Sequence, residues 1–326
     1  MLNSMKAAAA LGLLAAGSLA ATPVHAQAQF PNQSVKFVVP FSPGGLPDTV
    51  ARIVGQKLQE RLGQSVVIEN RPGAGGNVAA AALLGIPADG YTLMVTDGSM
   101  FTINPKLMKS LPYDPDKDFL PVVQLAQGPL FLAVHPKVPV STMKEFIDYA
   151  RANPGKINYG SSGLGTTHHL SMEAVKAALK LDMAHVPFKG TGQSVPALLG
   201  GHVEVLFSAY PSLAGAVQAN QVKLLATNGP KRSAQAPDVP AVAEFIPGFD
   251  FAPVIGVFAK AGTPKAAVDK IAAEAMAVMN MPEVIAQLAK VGVEPAPAGP
   301  DGYAKGLKAE SDRVAATVKA ANIEPQ

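Results

Sequence analysis

The chain has 326 residues, 48% of them apolar, with 27 basic and 24 acidic side chains, a formal charge of +3 and no cysteine or tryptophan. So balanced a charge, with no basic run interleaved with aromatics, excludes a nucleic-acid-binding surface. The missing cysteine excludes disulfides, thiolate nucleophiles and a lipidated cysteine anchor.

At the N-terminus, Lys6, the apolar stretch 7–21 and the small-residue site Val24-His25-Ala26 read as a secretory signal. Cleavage after Ala26, with Ala28 the near alternative, leaves 326 − 26 = 300 residues, a length that suits two lobes. Lys6 is the only charged side chain removed, so the mature balance is 26 − 24 = +2. The apolar stretch is too short to span a bilayer and no second one is long enough. The expectation is a free, soluble, monomeric periplasmic protein.

Residues 35–40 alternate like a strand, and 47–62 place Val50, Ile53, Val54 and Leu58 on one helix face before Gly63 stops it. Between them runs VVPFSPGGLPD (38–48), where glycines and prolines join strand to helix. A loop of this type aims several backbone N–H groups at one point, and what it catches is usually anionic. A strand at 66–69, a helix at 77–84 and a strand at 92–96 continue a βαβ rhythm, which predicts an α/β fold with a mainly parallel sheet flanked by helices.

After 122–127 the pattern restarts. Strands fit 131–134, 157–159, 184–187, 203–207 and 223–227; helices fit 142–150, 168–179, 194–199 and 213–219. Thr142-x-x-Glu145 is a capping box. Residues 251–258 return as a strand, Thr263-Pro264 reads as the cap and first residue of a helix, and helices near 282–290 and 301–319 close the chain.

Four patterns invite chemistry and have simpler explanations. RPGAGGN (71–77) lacks the third glycine of a dinucleotide loop, Val78 standing in its place. Ser141-Thr142-Met143-Lys144 matches the S-x-x-K of serine acylation without its S-D-N and K-T-G partners, so a secreted hydrolase is the weaker alternative. His168 and His169 are adjacent and cannot share a helix face, which reads as packing rather than a metal site. Asp48 and Arg52 are spaced for an i,i+4 ion pair.

PFSPGGLPDTVAR (40–52), ENRPGAGGN (69–77), DGYTL (89–93), YARANPGKINYGSSGLGTTHHL (149–170), HVPFKG (185–190) and LLATNGPKRS (224–233) occur in an order and spacing that resemble the Bug or TctC-type periplasmic solute-binding proteins of tripartite tricarboxylate transport systems. The match spans essentially the whole mature sequence. The resemblance implies a two-lobed Venus-flytrap fold, with 27–127 plus 250–326 as lobe 1, 128–249 as lobe 2, and crossings near 127–129 and 247–253. It implies no catalysis, no cofactor and no metal. It also implies a small carboxylate held between the lobes with bridging waters, and delivery to a membrane permease of that transporter type or, alternatively, presentation to a membrane sensor kinase.

The first-lobe contributors are then Phe41, Ser42, Gly44, Gly45 and Asp48. From the second lobe, the turn GSSGLGTT contributes Ser161, Ser162, Gly165, Thr166 and Thr167, and the PFKG segment contributes Phe188, Lys189 and Gly190. Phe188 stands where the family commonly has a tyrosine. Tyr210 follows a strand end and completes the set; with Phe41 and Phe188 it would suit an aromatic acid.

Overall fold

The computed structural model describes residues 30–320 and 323–325; the proposed signal segment lies outside them. Among the described residues, eleven strands form two sheets. The strands are β1 Val35–Val39, β2 Val66–Asn70, β3 Thr92–Asp97, β4 Phe119–Gln127, β5 Leu130–Val134, β6 Asn158–Ser161, β7 Ala184–Pro187, β8 Val205–Ala209, β9 Lys223–Thr227, β10 Val254–Lys260 and β11 Glu294–Ala298. The first sheet has the order β11-β4-β10-β3-β1-β2 and the second β7-β6-β8-β5-β9.

Both sheets are mixed. β1 runs parallel to β2 and β3, and β6 parallel to β7 and β8, as βαβ connections require. β10 is antiparallel to β3 and β4, and β5 to β8 and β9. The expectation of mainly parallel sheets therefore holds for the βαβ strands alone, because a chain that leaves one sheet for the other and later returns must re-enter running the opposite way.

Helix Leu46–Leu62 buries Val50, Val54, Leu58 and Leu62, a stripe repeating every fourth residue, and Gly63 ends it at φ +65°. Gly55 lets this helix approach β2, where an added Cβ would lie 3.3 Å from Val66 and Ile68. Helix Met143–Ala152 carries the capping box: Thr142 Oγ1 accepts from the Glu145 amide at 3.1 Å, and the Glu145 carboxylate accepts from the Ser141 and Thr142 amides. The S-x-x-K match is thus a helix start.

Two local expectations change. Pro264, not Thr263, is the N-cap of helix Lys265–Met279, and Thr263 Oγ1 donates back to the Lys260 carbonyl at 2.7 Å because the turn at Gly262 (φ +87°) folds it toward β10. β11, sequence EPAPA, has no strand signature; its prolines are tolerated because it is an edge strand paired only with β4.

The chain crosses from the first sheet to the second between β4 and β5, and back between β9 and β10. The two crossings lie side by side, the Gly128 amide donating to the Pro253 carbonyl at 3.2 Å. Asn228 pins them: its side chain accepts from the Leu130 amide at 2.7 Å and donates to the Phe251 carbonyl at 2.7 Å. This topology turns the C-terminal ends of β1, β3, β6 and β8 toward a shared cleft, where open α/β sheets place their ligands.

Candidate ligand-binding cleft

The cleft is closed. Ser42 Oγ donates to the Lys189 carbonyl at 3.2 Å, Ser212 Oγ to the Gly44 carbonyl at 2.9 Å, and Thr167 Oγ1 to Asp97 Oδ2 at 3.0 Å, each bond joining one sheet's lobe to the other. Glycine makes this approach possible. Gly190, at φ +141°, sits so close to Ser42 that an added Cβ would come within 2.7 Å of its Oγ, and a Cβ on Gly165 (φ +75°) would reach 2.1 Å from Asn104 Oδ1.

Inside lies a cavity of about 20 Å³, room for about one water in this closed form, lined from both lobes: Phe41, Gly45, Leu46 and Pro47 with Asp97 and Ile255 on one side, Leu130, Ser162, His168 and Thr191 on the other, and Pro253 beside the crossing. No lysine or arginine lines it. Ser162 Oγ and both His168 ring nitrogens are buried without a hydrogen-bond partner. Burial holds the His168 imidazole neutral, its pKa lowered to about 4. An orphaned buried hydroxyl costs roughly 1–3 kcal/mol, so these atoms favour an occupant that can satisfy them.

Main-chain donors face the same space. The helices Leu46–Leu62 and Thr191–Leu199 start at Gly45 and Gly190 with no side-chain cap, which leaves first-turn amides for another partner. Helix Thr167–Leu179 differs, its N-cap Thr166 accepting from the His169 amide at 3.4 Å.

Of the residues expected at the site, Phe41, Gly45 and Ser162 line the cavity. Ser42, Gly44, Gly165, Thr167 and Gly190 take part in the lobe-to-lobe contacts around it. Ser161 is committed elsewhere, its Oγ lying 2.6 Å from His185 Nε2 and bonded to Gly163, and Thr166 is a helix cap. Asp48 is a brace: its carboxylate accepts from the Gly44 amide (2.9 Å), Asn70 (2.9 Å) and Arg52 (3.0 Å), bonds that hold its pKa below the usual carboxylate value against the opposing pull of burial.

Three expected residues do not meet in the cavity. Lys189 is exposed and touches the cleft through its carbonyl only. Phe188 packs with Val186 on the apolar core of the second lobe, and Tyr210 sets its ring edge-on to Phe131 at 5.9 Å. The aromatic cluster of Phe41, Phe188 and Tyr210 is therefore not assembled, because two of its rings are drawn into that core.

Asp97, His168 and Thr191 were not expected. Asp97 ends β3 in the sequence TDGS, which reads as a turn; the position of a strand's C-terminal end beside the cleft is the signal that marks it. His169 and His185 stack at 4.2 Å, with Tyr159 against His185 at 4.8 Å, and burial lowers the two imidazoles to about 4 and about 3. Among the described residues no His, Asp and Glu cluster has the arrangement of a metal site.

A larger cavity of about 350 Å³ opens behind the crossings, between Gln127, Lys231, Arg232, Asp250 and Arg313. Its charges are mixed, and Arg232 is already paired with Glu244.

Two α/β lobes joined by paired crossings and shut over a small, mostly apolar cavity with a few unsatisfied polar atoms have the architecture of a solute-binding receptor. The chain belongs to the tripartite tricarboxylate transporter receptor family, whose model matches residues 50–323. A protein from the tcbD-tcbE intergenic region of Pseudomonas sp. strain P51 is 34% identical over 307 residues, covering 92% of this chain and 91% of its own. A Rhodopseudomonas palustris protein solved with adipate superposes with a TM-score of 0.88 at 33% identity, covering 91% of this chain and all of its own. MatC of the same organism, solved with malate, gives 0.83 at 32% identity, covering 89% and 100%.

Proposed function

We propose that this receptor captures a small organic carboxylate between its lobes in the periplasm and delivers it to a membrane permease of the tripartite tricarboxylate type. The observation that carries the reading is the closed cavity in which Ser162 Oγ and the His168 nitrogens lack partners beside the uncapped helix start at Gly45. The adipate and malate bound to two structural relatives support the same class of ligand.

Helix-end electrostatics contribute roughly 0.3–1 kcal/mol each, whereas micromolar affinity corresponds to about −8 kcal/mol. Dipoles alone are too weak. Charge-assisted hydrogen bonds, at roughly 1.5–3 kcal/mol each, and burial of the ligand's carbon chain against Leu46, Leu130 and Ile255 supply the rest. Ordered waters bridge the distal end of the ligand to the protein. Closure is the signal the permease reads, and the ligand stabilises it only through its higher affinity for the closed form.

Gly45→Asp tests this reading. Gly45 is an N-cap with φ −75° and ψ 170°, a conformation aspartate adopts without strain and a position it favours. An added Cβ would lie 3.1 Å from Thr191 Oγ1, a side chain that can yield, so the variant is expected to keep its melting transition while its own carboxylate takes the amides a ligand would use. Calorimetry with a carboxylate that binds the parent protein shows at least a hundredfold loss; unchanged affinity removes the pocket from the account.

A further inference from the structure

Asp97 is an acidic side chain inside a cavity assigned above to an anion. It is 4% exposed and lines the cavity from the end of β3. Its hydrogen-bond partners are all donors: Ser99 Oγ to Oδ1 at 2.6 Å, the Ser99 amide to Oδ1 at 3.4 Å, and Thr167 Oγ1 from the opposite lobe to Oδ2 at 3.0 Å. No cation is among them. A carboxylate has about four lone-pair positions, so acceptor capacity is left over toward the cavity. The groups around it come from three elements: Glu310, Tyr303 and Arg313 on the C-terminal helix Pro300–Ala320, His168 on helix Thr167–Leu179, and Asp250 on the returning crossing.

Like charges in one small, poorly solvated cavity repel. Two arrangements relieve this: the ligand places a hydrogen-bond donor against Asp97, or Asp97 takes a proton before the ligand enters. Donors from both lobes are already fixed on Asp97, which suits an acceptor, and the neutral His168 adds no positive charge to offset a second carboxylate. We infer that Asp97 determines specificity, admitting carboxylic acids that carry a hydroxyl or ammonium donor and discriminating against isosteric acids that lack one. This rests on the cleft's being a carboxylate site.

Burial raises the pKa of Asp97, and its charge, with burial, holds Glu310 up at about 7. An acid without a donor therefore binds only with uptake of a proton, and its affinity falls as pH rises. An acid with a donor binds ionised Asp97 without taking up a proton there, so its affinity follows pH only through Glu310. The energetic asymmetry is the usual one: a buried polar group left without its partner discriminates far more strongly than a lost apolar contact.

The test uses matched acids that differ by one substituent: succinate, malate and aspartate; adipate and 2-aminoadipate; 3-phenylpropanoate and phenyllactate. Calorimetry at pH 6 and pH 8, in buffers of different ionisation enthalpy, reads affinity and proton uptake together. The donor-bearing member of the binding set is at least tenfold tighter in the parent protein and depends on pH less than its donor-free counterpart. The donor-free member weakens tenfold or more and takes up a proton.

In Asp97→Asn and Asp97→Ser, checked for an intact melting transition, that preference collapses and the matched acids share the same pH dependence. Malate against aspartate tells whether hydroxyl or ammonium is the donor read. Equal affinity within each set in the parent protein, or a preference that survives in both variants, overturns the role of Asp97 while leaving the carboxylate site standing. If no acid binds the parent protein, the carboxylate reading falls and this inference with it.

Discussion

The two walls of the cleft are built differently. The first-lobe loop at residues 40–48 is a main-chain device: Asp48 gathers the Gly44 amide, Asn70 and Arg52, and the loop delivers an uncapped helix start at Gly45. The second-lobe turn at residues 160–169 is a side-chain device, in which Thr166 caps its own helix, Thr167 reaches across to Asp97, and Ser162 and His168 are left facing the cavity. Behind it a stack of Tyr159, His185 and His169 stiffens the wall. In the proposed function the first wall grips an anion through its main chain, the second adds Ser162 and His168, and Asp97, at the end of β3 on the first side, reads what the anion carries. A scaffold that separates these tasks can change ligands by substituting side chains without rebuilding its loops.

The contrast breaks most visibly after Gly45→Asp, where the main-chain wall is lost whole. Next in size is Gly165→Ala, which acts on closure rather than on any ligand contact. The new methyl meets Asn104 Oδ1 only when the lobes are shut, and φ +75° adds strain of about 1 kcal/mol in either form. Affinity is expected to fall tenfold to a hundredfold, with small-angle scattering showing a more open average shape in the presence of ligand. Asn104→Ala in the same chain recovers part of the loss. An unshifted affinity in the single variant means that the closed contact is not required for binding.

Ser162→Ala sharpens the contrast from the other wall. Removing an orphaned hydroxyl relieves the empty cavity slightly, so the melting temperature without ligand stays level or rises. With ligand, the lost charge-assisted bond is expected to cost about 1–3 kcal/mol, read by calorimetry as a five- to hundredfold weaker constant. If both measurements are flat, Ser162 faces the cavity without serving it.

Much of this is legible in the sequence. The strand at residues 35–40, the helix face of Val50, Val54 and Leu58, the capping box at Thr142 and the glycine-rich loops each follow from local spacing, because local physics decides them. What stayed hidden depends on which side of an element is turned inward. Phe188 and Tyr210 are aromatic residues near strand ends, and only the packing of the second-lobe core around Phe131 directs them away from the cleft. Asp97 has the opposite history: Asp-Gly after a strand is an ordinary turn signal, and the carboxylate gains its place in the cavity only when Thr167 arrives from a segment 70 residues away. Edge strand β11 escaped because proline argues against a strand everywhere except at such an edge.

The smallest expected effect is the most pointed for the main-chain argument. Lys189 is the cation that a sequence reading would choose as the ligand's counterion, yet its side chain is exposed and its carbonyl, not its ammonium, meets Ser42 across the cleft. Lys189→Ala leaves that carbonyl in place and removes only a solvent-screened charge, so affinity at 0.15 M salt changes less than twofold and any loss at low salt vanishes on adding salt. A tenfold loss that persisted at high salt would mean that the ammonium reaches the ligand in the bound form, and that the grip is a side-chain ion pair after all. The two outcomes differ because a main-chain contact survives truncation of its own side chain and an ion pair does not.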